Sequence, residues 1–433
     1  MTERAALVVA GGTVIDATGE RVADVIVEAD GHVAAVGEGL AEGSGLGRRT
    51  LDARGCIVAP GLVDLHTHLR QPGGEQAETV ESGSRAAALG GFCAVVAMPN
   101  TVPAIDSAAM VREVQELGRA ALCRVEVAGA ITVARAGERL APMAEMAALG
   151  VRIFTDDGNG VQDDGVMRRA LEYASDLDVR LAQHCEVDSL ADGGQMHEGE
   201  WSSRLGIPGI PAEAEEIMVM RDVALSRLTG VPVHFQHLST AGSVAILDAA
   251  RRSGVAVSAE VAPHHFTLTD ECCASYDATF KVNPPLRPEP DVAAVRAALA
   301  GGVLDAIATD HAPHTADAKD RPFEQAPPGM LGLETALALA LTELDMPVAD
   351  VLALLSWQPA RIAGLGDTHG GPVAAGRPAN LLVFDPEAVW TVDDSGGASR
   401  SRNTPYAGRR LRGRVRHTLV AGEPVVIDGE AQR

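Results

Sequence analysis

The segment Asp64-Leu65-His66-Thr67-His68-Leu69-Arg70, which ends the apolar run at 56–63, constrains this chain most. In a β-strand, residues i and i+2 point to the same side. His66 and His68 therefore face one point in space and can share one metal ion. Arg70 continues the alternation and sets a fixed positive charge beside that point.

The strand with this signature is the first of several. Apolar runs lie at 56–64, 92–98, 125–131, 151–155, 179–184, 232–238, 255–261 and 303–309. Between them, 108–122, 165–177, 212–228, 241–252 and 291–299 carry apolar residues at helical spacing. Eight strands alternating with helices over about 300 residues predict an α/β protein built on a closed (β/α)8 TIM-type barrel. A doubly wound open sheet is the alternative, but no GxGxxG follows an early strand. Both ends differ from the middle. Residues 1–55 and 368–433 alternate apolar and polar positions with Gly-Gly and Asp-Gly punctuation, as hairpins do. The expected organisation is a small β-sandwich domain from 1–55 and 368–433 around a barrel at 56–367.

Composition excludes several functions. The net charge of −23 argues against a nucleic-acid partner or an anionic membrane surface, and 3% aromatic residues leave little for stacking on bases. No apolar run of about 18 residues suggests a membrane span. The six cysteines form no CxxC pair and read as reduced thiols of a cytoplasmic protein. Cys185 follows His184 and would point the opposite way along a strand.

Ligand-type side chains stand at the ends of several predicted strands. They are His66, His68 and Arg70 on the first, Asn100 after the second, Asp156 and Asp157 after the fourth, His184 after the fifth, His237 after the sixth and Asp310 after the eighth. Strand ends are where such a barrel carries its active site. Single histidines such as His197, His234, His264, His265 and His311 read as packed, solvated or supporting groups. The convergent set does not, because four buried imidazoles and two carboxylates need partners. One catalytic zinc takes about three protein ligands. Six ligands suit two ions about 3.5–4 Å apart, joined by a carboxylate and a hydroxide. Two Zn²⁺, two carboxylates and one hydroxide sum to about +1, and Arg70 adds to it, so an acidic protein can hold a small anion there.

These residues sit in motifs that resemble the amidohydrolase superfamily and, within it, bacterial type I dihydroorotases. The motifs are Pro60-Gly61-Leu62-Val63-Asp64-Leu65-His66-Thr67-His68-Leu69-Arg70, Met98-Pro99-Asn100-Thr101, Phe154-Thr155-Asp156-Asp157-Gly158, His184-Cys185-Glu186, His237-Leu238-Ser239-Thr240, Glu260-Val261-Ala262-Pro263-His264-His265, Lys281-Val282-Asn283-Pro284-Pro285-Leu286-Arg287 and Ile307-Ala308-Thr309-Asp310-His311-Ala312-Pro313-His314. The resemblance implies reversible hydrolysis of L-dihydroorotate to N-carbamoyl-L-aspartate in de novo pyrimidine (UMP) biosynthesis. It implies His66, His68 and Asp310 as ligands of a first zinc, His184 and His237 of a second, and Asp157 as the bridge. Two Zn²⁺ per chain are expected, and one is the alternative. Asp310 is the implied general acid/base, acting on a zinc-held hydroxide. His68, Arg70, Asn100, Asn283, His314, Pro328 and Gly329 are the implied substrate contacts. Pro328 stands where the family usually has an aromatic residue, and proline has no N–H to offer. Many superfamily members bridge their metals with a carboxylated lysine. The only lysines here are Lys281 and Lys319, neither near the fourth strand, which favours an aspartate bridge.

Two other functions fit part of this pattern. One is a different cyclic-amide hydrolase, such as a hydantoinase or allantoinase. The other is an inactive dihydroorotase-like scaffold subunit of a carbamoyltransferase, which should have lost metal ligands. By the resemblance, aspartate carbamoyltransferase is a candidate partner, and a homo-oligomer is expected. The polar stretch 188–211 reads as a lid or a long connecting loop.

Overall fold

The computed structural model describes residues 6–43, 48–393 and 395–433. Five strands open the chain: β1 (Leu7–Asp16), β2 (Gly19–Val27), β3 (Val33–Gly37), β4 (Arg49–Asp52) and β5 (Ile57–Pro60). The middle carries β6 (Leu62–Thr67), β7 (Phe92–Ala97), β8 (Arg124–Val127), β9 (Ile153–Phe154), β10 (Arg180–Gln183), β11 (Met196–His197), β12 (Gly209–Ile210), β13 (Val233–Phe235), β14 (Val257–Val261) and β15 (Ala306–Ile307). The chain closes with β16 (Leu381–Thr391), β17 (Arg410–Val420), β18 (Glu423–Ile427) and β19 (Glu430–Ala431).

The two ends share one nine-stranded sheet in the order β19-β18-β17-β16-β5-β1-β2-β3, with β4 also paired to β1. The apolar run at 56–64, expected to be one strand, is two. β5 pairs with β1 and β16 in the terminal sheet, whereas β6 pairs with β7. The terminal sheet therefore reaches Pro60, beyond the boundary at 55 that hairpin punctuation suggests. Gly61 makes the break possible: a Cβ there would lie 2.0 Å from Cys93 Sγ.

In the middle, β6-β7-β8 and β9-β10-β13-β14-β15 pair in parallel. Single parallel bridges connect the two groups at both junctions, Gly129 with Phe154 and Thr67 with His311. The His68 N–H donates to the His311 carbonyl at 2.9 Å, and the Gly129 N–H to the Ile153 carbonyl at 3.0 Å. Eight parallel strands thus follow one another, and the last returns to the first. β6 and β7 are buried along their whole length, as strands covered on both faces must be. Helices Ala108–Gly118, Asp164–Ala174, Glu213–Thr229, Ala241–Arg252 and Glu289–Ala300 fall within three residues of the predicted starts. The stretch 188–211 is not a bare loop. It holds two short helices, Asp188–Ala191 and Glu200–Leu205, and the parallel pair β11–β12.

Candidate metal centre

Strand pairing brings the polar strand ends together. β6 delivers His66, with His68 just beyond it. The turns after β9, β10, β13 and β15 deliver Asp157, His184, His237 and Asp310. All six are buried. His66 Nε2 lies 3.1 Å from Asp157 Oδ1 and 3.6 Å from Asp310 Oδ1. His68 Nε2 lies 3.0 Å from Asp310 Oδ1 and 3.7 Å from Asp157 Oδ2. His184 Nδ1 and His237 Nε2 stand 3.8 and 4.0 Å from Asp157 Oδ1, and 2.9 Å from each other. Asp157 is common to two groups with metal-ligand spacing, one with His66 and His68 and one with His184 and His237. Its neighbour Asp156 is turned away. It accepts from the Ile131 and Thr132 N–H groups at 2.9 and 3.0 Å and from the Thr132 hydroxyl.

The donor set fits divalent metal ions. His66 Nε2, which faces Asp157 and Asp310, is buried without a hydrogen-bond partner, which native interiors rarely tolerate, and the nitrogens of His184 and His237 that face Asp157 lie 2.9 Å from each other. The outer contacts also set the rings for ligation. His66 Nδ1 faces Glu260 Oε1 at 3.0 Å and His68 Nδ1 faces Asn100 Oδ1 at 2.9 Å. Both partners accept, so each Nδ1 carries a proton, and the Nε2 of each ring faces Asp157 and Asp310. Glu260 is held in turn by His234 Nε2 at 3.0 Å.

Charge within the cluster is strongly coupled. Burial disfavours the imidazolium of His66, yet Asp157 and Asp310 outweigh it and hold His66 well above the usual histidine range. Burial and the neighbouring imidazoles push His237 well below that range. Burial works against ionised Asp157, but His66, His68 and His184 hold its carboxyl well below the ordinary value. Asp310 is held below it as well: burial opposes ionisation, and His66 and His68 prevail. Three residues here pay in backbone strain. Arg70, His237 and Asp310 have φ of 60°, 34° and 45°, a region that costs non-glycine residues roughly 1–3 kcal/mol each and clusters at functional sites.

The expected substrate contacts fall into two groups. Asn100 bridges the cluster, donating from Nδ2 to Asp157 Oδ2 at 3.2 Å. Arg70 Nη2 lies 3.3 Å from His314 Nε2, which lies 2.8 Å from the Pro328 carbonyl. Burial and the Arg70 charge push His314 down to about 3, so its ring stays neutral beside the guanidinium. The buried Asn283 Oδ1 has no partner. Gly329 follows Pro328. Its N–H donates to the Lys281 carbonyl at 2.9 Å and the Pro328 carbonyl is turned to His314, so both backbone groups already have partners. The lysines are placed elsewhere. Lys281 Nζ donates to Gln195, Phe323 and Glu324, and Lys319 Nζ to the carbonyls of Ala278, Lys281 and Pro327.

Sequence reading assigned no role to several supporting residues. Asp64 accepts from the Thr309 N–H at 2.7 Å and the Thr309 hydroxyl at 2.6 Å, tying β6 to the turn that carries Asp310. Glu215 accepts from the Ser239 and Thr240 N–H groups at 3.0 and 3.2 Å, just after His237. His264, read as a packed residue, points Nε2 at Asp310 Oδ2 from 3.9 Å. Glu260 and His264 lie in a quoted motif, but one-dimensional spacing shows no contact between strands.

Residues 55–243 match a family model described as Dihydro-orotase-like. Over its length the chain is similar to proteins named dihydroorotase. It is 46% identical to one from Pelotomaculum thermopropionicum, covering 98% of this chain and 99% of the relative. It is 49% identical to one from Streptomyces coelicolor, covering 94% and 96%, and 47% identical to one from Mycobacterium tuberculosis, covering 95% and 96%. Among solved structures it superposes on the L-hydantoinase (dihydropyrimidinase) of Arthrobacter aurescens with a TM-score of 0.86 at 23% identity, over 99% of this chain and 97% of that one, a likeness of fold alone. By sequence, over nearly its whole length, the chain belongs to the dihydroorotase family of amidohydrolases.

Proposed function

We propose that this chain is a metal-dependent dihydroorotase that reversibly hydrolyses L-dihydroorotate to N-carbamoyl-L-aspartate in pyrimidine biosynthesis. The observation that carries this reading is the junction of two chemistries at one end of the strands. Asn100 joins the His/Asp cluster through Asp157, and the guanidinium of Arg70 stands beside it. The first suits amide hydrolysis and the second suits a substrate carboxylate. We further read the eight-strand circuit as a (β/α)8 barrel at 56–367, with Ile57–Pro60 lent to the other sheet. The terminal sheet is then the small β-sandwich domain of 1–55 and 368–433.

His66, His68 and Asp310 would hold one divalent cation and His184 and His237 a second, with Asp157 shared. Histidine and carboxylate donors suit zinc. Such ions supply a Lewis acid for the ring carbonyl and lower the pKa of water toward about 7. The remaining work belongs to the chain. Asp310, ionised and held at 3.0 Å by His68, accepts the proton of the attacking water and passes it to the ring nitrogen as the C–N bond breaks. Arg70, with neutral His314 and Asn100, orients the substrate carboxylate. Asn283, whose buried Oδ1 has no partner, would accept from a ring N–H.

The test is a metal count on purified protein alongside hydrolysis of dihydroorotate and of hydantoin, with and without aspartate carbamoyltransferase. Two zinc ions per chain and turnover of dihydroorotate alone are expected. Turnover of hydantoin with dihydroorotate inert would sink the assignment. A rate that rises on adding the transferase would identify that enzyme as a partner.

A further inference from the structure

Of the 36 basic residues only Lys281 and Lys319 are lysine, and both lie on segments that carry candidate substrate contacts. One segment, 278–286, begins with the short turn Ala278–Phe280 and carries Asn283. The other, 310–329, follows β15 and carries His314, Pro328 and Gly329. Each lysine starts on one segment and reaches the other. Lys281 Nζ donates to the carbonyls of Phe323 and Glu324 at 2.9 and 3.2 Å. Lys319 Nζ donates to those of Ala278 and Lys281 at 2.9 and 3.2 Å, and to that of Pro327 at 2.9 Å. The Gly329 N–H adds a third tie, to the Lys281 carbonyl at 2.9 Å.

The chemistry of these ties suits lysine. An ammonium gathers three N–H donors on one atom, whereas a guanidinium spreads its donors over a planar fork. Lys319 meets three carbonyl oxygens, and Lys281 meets two and the side-chain oxygen of Gln195. No donor is left over, and none of the acceptors is a carboxylate. Burial disfavours such a cation. Together with the charges of Lys281 and Arg70, and against that of Asp277, it pushes Lys319 down to about 7. The penalty falls where two parts of the candidate site must keep their separation. Pro328, next to Pro327, gives its carbonyl to His314 Nε2 at 2.8 Å. Arg70 is tied to the same segment, donating from Nε to the Pro313 carbonyl at 3.1 Å. Asn283 lies two residues beyond Lys281, its buried Oδ1 without a partner.

We propose that Lys281 and Lys319 are positioning residues that hold Asn283 at a fixed separation from His314 and Arg70, so that a ligand must present a ring N–H to the first and a carboxylate to the other two. This rests on the dihydroorotase reading and deepens it, because the two lysines then set the selectivity of the site without touching substrate.

Steady-state kinetics of the metal-loaded full chain with dihydroorotate provides the test. Turnover by the wild type tests the dihydroorotase reading itself, and the variants test the lysines. Lys319→Met should raise KM about tenfold or more, with a smaller change in kcat. Metal content should stay the same, since Lys319 Nζ bonds none of the candidate metal ligands. Asn283→Ala should raise KM in the wild-type background and add little to Lys319→Met, because a displaced Asn283 has already lost its contact. Lys281→Met loosens the same two segments from the other side, and supplies the cycle if Lys319→Met does not fold. An unchanged KM in both lysine variants would overturn the proposal. So would full additivity with Asn283→Ala, which would show that the lysines act on overall stability rather than through that side chain.

Discussion

Asp310 is asked to do two things, ligate and move a proton, and its surroundings permit both. Its carboxylate is kept ionised by His66 and His68 against the cost of burial, and its φ of 45° directs it into the cluster. Asp310→Ala should therefore remove more than the roughly 10²–10⁴ in kcat that a general acid–base group contributes. A variant retaining a tenth of wild-type kcat would remove Asp310 from the chemistry. Arg70 acts on binding. Its planar fork can engage both oxygens of a carboxylate, which the ammonium of lysine cannot. Arg70→Lys should raise KM for dihydroorotate with a smaller change in kcat, and an unchanged KM would separate Arg70 from the carboxylate. At this scale the metal-ligand candidates were legible, because residue type and two-residue alternation are local properties. The state of Gly329 was not, since only the folded chain shows its N–H donated to Lys281.

Among the elements, the helix Glu213–Thr229 does most to fix the second half of the cluster. Glu215 on its inner face collects the Ser239 and Thr240 backbone N–H groups and both hydroxyls, and Arg287 stands 3.7 Å behind it. These bonds anchor the turn that leaves His237 at a positive φ. Glu215→Gln should leave buried donors poorly satisfied and lower the unfolding free energy by about 1–3 kcal/mol. It should also release metal from His184 and His237 before metal held by His66 and His68. Chelator titration followed by metal analysis checks the order, and simultaneous loss of all metal would refute it. The helix itself was plain in sequence, but its task was not. A glutamate on an amphipathic helix reads as solvated until the packing shows it buried.

For the whole molecule, the terminal sheet joins chain ends that are far apart in sequence. Asp16 ties them: its Oδ2 accepts from the Val373 N–H and from Arg21, each at 2.9 Å, and its Oδ1 from the Thr18 N–H at 2.8 Å. Burial raises the Asp16 carboxyl, but Arg21, Thr18 and the backbone donors prevail and leave it below the ordinary carboxylate range. The folded value being the lower one, the unfolded chain binds the proton more tightly. The stabilisation is thus complete above the ordinary range and lost as pH falls through the folded value. Asp16→Asn should cost about 1–3 kcal/mol near pH 6 and less near pH 3, read from urea midpoints at both. An equal cost at both values would exclude a charged role for Asp16. What the sequence by itself determined is what repeats at short range: the strand–helix alternation, the ligand types at strand ends, and the family motifs around them. Tertiary structure alone decided the break at Gly61, whose missing Cβ leaves room for Cys93 where one half of an apolar run pairs in each sheet. It also decided which buried carboxylates, Glu260 and Glu215 among them, support the imidazoles and the turns that carry them. Those outcomes depend on atoms brought together from distant positions, and no local pattern encodes that proximity.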